Sequence, residues 1–165
     1  MQLNHIIGMV KLHLKYYTSY YANFENIPKD YLCIGISRII PEGFRTSEYS
    51  NFIYTPDNFL APSYQLLKDV KDGNISQEEY SKKYVTEVVS RIKPYTNYKD
   101  LKEWIVAFDN NLANQGTEWK AVVFLCYESP SKFCHRQVLR KLLNNYYEIP
   151  IEELVLKPVK SSALF

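Results

Sequence analysis

The chain has 165 residues, a length that suits one domain with a sizeable core and is short for two. Its 20 lysine and arginine residues nearly balance 18 aspartate and glutamate residues, so the composition disfavours a surface that tracks nucleic-acid phosphates. The 3 cysteines do not make a disulfide framework, and no apolar stretch approaches the roughly 20 residues of a membrane span.

The N-terminal region predicts a strand and carries no secretion pattern. Ile6–Val10 is a short apolar stretch followed by basic residues, so we expect a soluble, cytoplasmic protein with reduced cysteines. Apolar and polar side chains then alternate from Leu12 to Tyr16, which is the period of a strand, and segment 18–21 continues this strand or opens a turn. The 15 tyrosines among many Asn, Lys and Ile residues fit the codon use of AT-rich genomes, such as those of low-GC bacteria and their phages.

A second strand and a long loop follow. The apolar run Tyr31–Ile36 predicts a short strand that ends at Ser37 and Arg38. The segment from about residue 42 to residue 58 is rich in Ser, Thr, Asn and Pro with scattered aromatic residues, and it predicts an irregular loop. Loops of this length in compact domains usually serve a function or are mobile.

Three amphipathic helices are predicted in the middle of the chain. Each one combines apolar residues at spacings of three and four with recognisable start and stop residues. Their starts and ends are predicted, in chain order, at Pro62 and Gly73, at Ser76 and Pro94, and at Asp100 and Gly116.

The last third of the chain predicts a buried strand, a helix and a short final strand. The apolar run Ala121–Tyr127 is typical of a strand buried on both faces, as in a parallel sheet. Ser131 is expected to cap a helix over about Lys132–Asn145. Leu154–Leu156 adds one strand, and the tail from about residue 157 to residue 165 is expected to be irregular.

This alternation of strands and helices predicts one three-layer α/β domain over residues 1–165, with a mostly parallel central sheet. In such sheets ligands bind just beyond the carboxyl ends of the strands. Five ionisable or nucleophilic side chains stand at or after the end of the buried strand: Cys126, Glu128, Cys134, His135 and Arg136.

These side chains suit an anion-binding pocket with acid–base chemistry. The predicted helix start and Arg136 would attract a phosphate or a carboxylate. The same field favours Cys134 as a thiolate. Glu128 is the candidate acid, base or nucleophile, and His135 is the candidate proton carrier. Arg38 joins them if the two apolar strands are neighbours.

Each side chain also has a purely structural interpretation. Cys126 fits a small core residue at the end of a buried strand, and Cys134 fits a packed helix residue equally well. His135 could bond a backbone carbonyl, and Arg136 could pair with Glu128 as a structural bridge.

Metal and cofactor motifs are not recognised in the sequence. Cys126, Cys134 and His135 are zinc-type ligands, but seven residues separate the two cysteines, whereas structural zinc sites usually show two to four. The chain contains neither a Walker motif nor G-x-G-x-x-G. We therefore predict no metal and no cofactor.

Four separated segments resemble the family known as domain of unknown function 488. Leu125–Arg136 (LCYESPSKFCHR) resembles the C-Y-E…C-H-R signature of that family, and the other segments are Tyr17–Ala22, Ile36–Pro41 and Leu60–Tyr84. The resemblance implies a Rossmann-like α/β domain that gathers its shared polar residues in one pocket, and it implies no particular reaction. The site residues that it marks are Ser37, Arg38, Cys126, Glu128, Cys134, His135 and Arg136, with Ser19 and Tyr20 behind them. Thr46–Asn58 is extended relative to the family pattern, so we expect the rim of the pocket to differ.

The leading functional hypothesis is an enzyme that binds a small anionic ligand of the nucleotide or nucleoside class. Hydrolysis or glycosidic bond cleavage would use Glu128 as base or nucleophile, with Arg38 and Arg136 holding the anion. The alternative is a non-catalytic protein that sequesters a nucleotide messenger, a role suited to a phage. Redox chemistry of Cys134 with Cys126 is a third hypothesis, and nucleic-acid binding by the last helix is the weakest. The oligomeric state, including a homo-oligomer, stays open.

Overall fold

The computed structural model of the protein describes residues 10–46, 48–54, 58–116 and 118–156, and its centre is a parallel sheet. The strands are β1 (Lys15–Tyr20), β2 (Tyr31–Gly35), β3 (Phe52–Ile53), β4 (Ala121–Cys126) and β5 (Ile151–Glu153). They lie in the order β3-β2-β4-β1-β5, and every pairing is parallel. All six residues of β4 are buried, which explains its continuous apolar sequence.

Helical segments connect the strands. A 3₁₀ segment (Tyr21–Asn26) follows β1, and α1 (Glu42–Thr46) follows β2. The other helices are α2 (Tyr64–Lys71), α3 (Gln77–Thr96), α4 (Leu101–Asn114) and α5 (His135–Lys141), which continues into a π-helical turn (Leu142–Tyr146). Within the described residues, every helix is too short or too polar to span a lipid bilayer.

The helices cover both faces of the sheet. On one face, α2 to α5 pack against a large apolar cluster that contains Leu32, Val122 and Phe124 of the strands. On the other face, the 3₁₀ segment and α1 cover a smaller cluster that contains Cys33 and Val123. The result is the three-layer, Rossmann-like α/β domain that the sequence and its family resemblance predict.

The first strand begins later than its alternating pattern predicts. The carboxylate of Asp109, on α4, accepts the backbone N–H groups of His13 at 2.7 Å and Leu14 at 3.0 Å. These residues therefore bond to a helix instead of extending the sheet, and β1 starts at Lys15. The continuation through segment 18–21 is confirmed as far as Tyr20.

Asp109 is a buried carboxylate that ties the chain before β1 to α4, and we expect its loss to destabilise the fold. It also accepts a hydrogen bond from the Tyr16 hydroxyl at 3.1 Å. Asp109→Ala removes three hydrogen bonds to a charged group, so we expect the free energy of unfolding to fall by about 2–3 kcal/mol in urea titrations. Asn110→Ala, on the exposed side of the same helix, is the matched control and should change little. Equal effects of the two substitutions would contradict this role.

The predicted loop over about residues 42–58 is wrong in two places. Glu42–Thr46 forms α1, and Phe52–Ile53 forms the edge strand β3 beside β2. Aromatic side chains explain both elements, because the rings of Phe44 and Phe52 contact each other in a tilted arrangement, with centroids 4.8 Å apart, and both contact the ring of Tyr21. Side-chain packing thus orders a segment whose composition alone suggests a loop.

Other element boundaries also differ from the prediction. Pro94 does not stop α3, because it lies in the last turn and the helix ends only at Thr96, before Asn97, whose φ of 63° is left-handed. The last strand is Ile151–Glu153 instead of Leu154–Leu156, because the Asn144 side chain bonds both backbone groups of Ile151 and fixes where pairing with β1 begins. The predicted tail over 157–165 lies outside the described residues. Ser76 and Asp100 cap α3 and α4 as expected, whereas α2 begins at Tyr64, with Ser63 as its cap, and not at Pro62.

Candidate functional site

A cavity of about 570 Å³ opens where β2 and β4 end. The two strands are neighbours, with Gly35 opposite Leu125, so the segments that follow them converge at one edge of the sheet. Arg38 was predicted to join the residues after β4 only if β2 and β4 are neighbouring strands. Six of the predicted site residues line the cavity: Ser37, Arg38, Cys126, Glu128, Cys134 and His135.

The floor of the cavity holds two thiols and an imidazole. Cys126 ends β4, and Cys134 immediately precedes α5, so a tight connection brings the two side chains together. Their Sγ atoms lie 2.7 Å apart and share a hydrogen bond. His135 Nδ1 lies 3.4 Å from Cys126 Sγ and 3.9 Å from Cys134 Sγ. All three side chains are buried.

A backbone carbonyl orients the imidazole. His135 Nε2 lies 2.8 Å from the carbonyl oxygen of Ile36, so this nitrogen must carry a proton and donate it. Nδ1 is then the nitrogen that exchanges a proton with the thiols. The sequence allowed two interpretations of His135, a residue that bonds a backbone carbonyl and a proton carrier. The two are compatible, because each uses a different ring nitrogen.

The two thiols are electrostatically unequal. The hydrogen bond between Cys134 and Cys126, together with His135, lowers the pKa of Cys134 far below the usual value of a thiol, against the opposing effect of burial. Burial and the hydrogen bond to Cys134 raise the pKa of Cys126. These opposite shifts favour Cys134 over Cys126 as the thiolate of the pair.

Cys126, Cys134 and His135 also form the one group in the described part of the chain that could hold a metal ion. Their donor atoms lie within 4.8 Å of one another. In a tetrahedral zinc site with Zn–S bonds of about 2.3 Å, however, two thiolate sulfurs stand roughly 3.7 Å apart. The observed 2.7 Å is shorter than that separation and lies between it and the roughly 2.05 Å of a disulfide bond.

Arg38 is held at the rim by the chain before α2. Its Nε donates to the carbonyl of Pro62 at 2.9 Å and its Nη2 to that of Ala61 at 3.2 Å. Ser37 is buried, and its hydroxyl donates to the carbonyl of Ile39 at 2.7 Å and lies 2.6 Å from the Tyr21 hydroxyl. Ser37 thus shapes the turn after β2, and Arg38 places a cation in the cavity wall.

Glu128 lines the cavity without contacting the thiols or the imidazole in any hydrogen bond that the structure shows. Its side chain is 46 % exposed, and its carboxylate lies 4.0 Å from the ammonium of Lys132. A carboxylate so open to water is poorly placed to act as a desolvated base or nucleophile. The prediction that Glu128 carries the reaction stays a prediction.

Arg136 does not line the cavity, contrary to the expectation that it holds an anion there. Its guanidinium is fully buried and pairs with Glu153 of β5, with Nη2 2.9 Å from Oε1. Nη1 donates to the backbone carbonyl of Glu128, so the predicted bridge to Glu128 exists through the backbone instead of the carboxylate. The hydroxyl of Thr18 donates to the same Glu153 carboxylate. Through these contacts the guanidinium stabilises the fold.

Ser19 and Tyr20 are likewise absent from the cavity wall. Ser19 is buried and accepts a hydrogen bond from the Asn23 amide at 3.0 Å. The Tyr20 ring lies 5.7 Å from the Arg136 guanidinium carbon, at a distance that allows a cation–π contact. Both residues lie behind the site, and Tyr20 supports the buried arginine.

The last helix starts later than predicted. Ser131 does not cap it, because its hydroxyl lies 3.0 Å from that of Ser129 in a turn where the Lys132 N–H also bonds the Ser129 carbonyl. The residue before the helix is Cys134, whose side chain makes no capping hydrogen bond, and α5 begins at His135. Cys134 thus directs its sulfur to Cys126 and not along the helix axis.

Several wall residues were not predicted to belong to the site. Tyr80, Phe133 and Leu67 give the cavity an aromatic and apolar side, and Lys71 adds a second cation to the wall. Tyr80 was interpreted as packing, which its 2 % exposure supports, but it also faces the cavity. The sequence carries no signal for Lys71, because its placement depends on how α2 docks.

Gly35 lets the turn beneath the cavity pack tightly, and we expect a side chain there to destabilise the protein. A Cβ atom at this position would lie 2.8 Å from Ile40 Cδ1 and 2.9 Å from the Tyr21 hydroxyl oxygen. Gly35→Ala should lower the free energy of unfolding by about 1–3 kcal/mol through overpacking, measured by urea titration. Gly43→Ala is the control, since a Cβ there meets nothing within 4 Å. A stable Gly35→Ala protein with unchanged thiol reactivity would contradict the tight packing.

The comparisons with known proteins give one result. A family model named DUF488-N3a and described as the active DUF488-N3 subclade matches residues 17–147. This match begins within β1 and covers β2 to β4, α1 to α5 and all the residues of the cavity wall. No curated protein and no solved structure matches the chain significantly.

Proposed function

Because the chain belongs to the DUF488 family and five of its six signature residues, all but Arg136, line one cavity, we propose that the protein is an enzyme acting on a small anionic substrate of the nucleotide or nucleoside class. The observation that carries this proposal is the thiolate–thiol–imidazole cluster of Cys134, Cys126 and His135 at the floor of the cavity. The description of the matched subclade as active favours an enzyme over a protein that only binds.

The composition of the cavity wall supports the substrate class. Arg38 and Lys71 supply two cations for a phosphate or another acidic group. Tyr80, Tyr127 and Phe133 supply aromatic surface suited to a flat base. A volume of about 570 Å³ lies within the range of pockets that bind small molecules of this size.

In the proposed reaction Cys134 is the nucleophile. Its thiolate attacks the phosphorus of an ester or the anomeric carbon of a glycoside, and the bond to the leaving group breaks. The leaving group takes the proton held at Nδ1 of His135. Water then hydrolyses the bond to sulfur and returns a proton to Nδ1, which restores the thiolate. Hydrolysis and glycosidic cleavage share this sequence of steps.

This proposal shifts the reactive role from Glu128 to Cys134. The thiolate is buried beside a proton donor, whereas the Glu128 carboxylate is half-exposed and near Lys132. Glu128 contributes negative charge at the rim and its backbone carbonyl to Arg136. The free cysteines fit a reducing cytoplasm, which we propose as the location of the protein.

The experiment is a turnover screen with a matched set of variants. Nucleotides and nucleosides are incubated with the wild type, Cys134→Ser, Cys33→Ser and Glu128→Gln, and products are identified by chromatography and mass spectrometry. Cys33 is the control, because it is also a free buried cysteine but packs on the opposite face of the sheet. We expect turnover by the wild type, Cys33→Ser and Glu128→Gln, and loss of turnover to background in Cys134→Ser.

Two outcomes would contradict the proposal. Absence of turnover of every nucleotide and nucleoside by folded wild type, with recovery of an intact bound ligand, would favour the sequestering protein. Loss of activity in Glu128→Gln with wild-type activity in Cys134→Ser would return the reactive role to Glu128.

A further inference from the structure

The second thiol of the cluster has no role in the nucleophilic reaction. Cys126 does not attack the substrate in that scheme, yet its sulfur lies 2.7 Å from the sulfur of Cys134. A disulfide bond is about 2.05 Å long, so the two sulfurs need to approach by less than about 1 Å to bond. A connection of seven residues already holds the two cysteines together.

We propose that Cys134 and Cys126 form a hydroperoxide-sensitive dithiol, in which Cys134 is oxidised first and Cys126 resolves it into a reversible intramolecular disulfide. Both sulfurs line the cavity, which gives a small hydroperoxide access to them. His135 supplies the proton that such an oxidation consumes, since its Nδ1 faces both sulfurs.

The chemistry proceeds in two balanced steps. The Cys134 thiolate attacks one peroxide oxygen, the O–O bond breaks, and the departing oxygen takes the Nδ1 proton of His135 and leaves as water or an alcohol. The sulfur of Cys126 then attacks the sulfenic sulfur of Cys134, and the S–O bond breaks. The hydroxide leaves with the Cys126 proton as water. The two sulfurs give up two electrons, and the hydroperoxide accepts them.

The third cysteine makes the pairing specific. Cys33 is fully buried on the opposite face of the sheet, and its thiol lies 3.9 Å from the carbonyl oxygen of Tyr31, a weak contact. Burial raises the pKa of Cys33 to about 12, so it stays protonated and a poor nucleophile. Oxidation should therefore leave Cys33 as a free thiol.

The disulfide would consume the nucleophile of the reaction proposed above, so the regulatory consequence rests on that proposed function. Oxidation would stop turnover, and a dithiol reductant would restore it. Formation of the bond itself does not depend on the substrate or on turnover, so it is measured separately.

The test treats the full-length protein with one equivalent of hydrogen peroxide and follows its thiols and mass. We expect free thiols in the denatured protein to fall from the 3 of the reduced chain to one, with loss of the mass of two hydrogen atoms and recovery by dithiothreitol. Peptide mapping should join Cys126 to Cys134. Cys126→Ser should accumulate a sulfenic acid on Cys134 that dimedone traps, and Cys33→Ser should behave as the wild type.

Three results would overturn the inference. Retention of three free thiols after oxidation excludes the dithiol, and a disulfide that includes Cys33 excludes the pairing. Zinc that copurifies stoichiometrically and protects two thiols would show that the cluster is a metal site. Disulfide formation in a protein without turnover would contradict only the proposed function, whereas turnover without a disulfide would contradict only this inference.

Discussion

Arg136→Met should lower the free energy of unfolding by about 3–5 kcal/mol, because it leaves the Glu153 carboxylate without its partner in a largely buried site. The guanidinium is fully buried and bonds Glu153 through Nε and Nη2. It also bonds the Glu128 carbonyl, so its loss removes an anchor of the segment between β4 and α5. Guanidinium chloride titration of the wild type and the variant measures the effect.

Two further variants separate charge from packing. In Arg136→Met with Glu153→Met, no uncompensated charge remains, so most of the lost stability should return. Glu78→Gln breaks the exposed pair with Lys82 and should change the free energy of unfolding by less than about 0.5 kcal/mol. A single Arg136→Met variant as stable as Glu78→Gln would show that the buried pair contributes little to the stability of the fold.

The architecture was predictable because its signals are local. The apolar run of β4 has no polar residue, so only a strand covered on both faces accommodates it. Capping residues such as Ser76 and Asp100 mark helix starts through a hydrogen bond to a residue three positions later. The elements that were missed, α1 and β3, depend on aromatic contacts between distant segments, which no local pattern reveals.

The location of the site was predictable, but the roles of its side chains were not. A parallel sheet places the residues after β2 and β4 at one edge, and this alone brings Arg38 near Cys134 and His135. Which way a side chain turns from that edge depends on its partners. Arg136 turns toward Glu153 on β5, a residue 17 positions later whose strand was itself placed incorrectly by sequence.

The short distance between the two thiols could not be predicted from the sequence either. Seven intervening residues allow many separations between Cys126 and Cys134, and the predicted start of the last helix at Lys132 would have turned Cys134 into a helical position. Because α5 begins only at His135, the Cys134 backbone stays extended and its sulfur reaches Cys126. A shift of three residues in one boundary therefore decides whether the cysteines form a pair.

Cys134 should remain reactive toward iodoacetamide at pH 6, where ordinary thiols are almost entirely protonated. The hydrogen bond between Cys134 and Cys126, together with His135, lowers the pKa of Cys134, so we expect its thiolate fraction to stay nearly constant between pH 8 and pH 6. An ordinary thiol loses on the order of 100-fold of its thiolate over this interval. A low pKa reduces the intrinsic nucleophilicity of the thiolate, which slows alkylation at every pH but leaves this ratio unchanged.

The measurement is the alkylation rate of each cysteine at pH 8 and at pH 6, with peptide mapping to assign the rates to individual cysteines. The Cys134 rate should change by less than about threefold between pH 8 and pH 6, whereas Cys33 and Cys126 should stay unreactive, because burial raises the pKa of both thiols. Protein unfolded in urea is the internal control, since all 3 cysteines should then slow on the order of 100-fold at pH 6. A fall of that size for Cys134 in the native protein would show that Cys126 and His135 do not hold a thiolate, and the nucleophilic role of Cys134 would lose its physical basis.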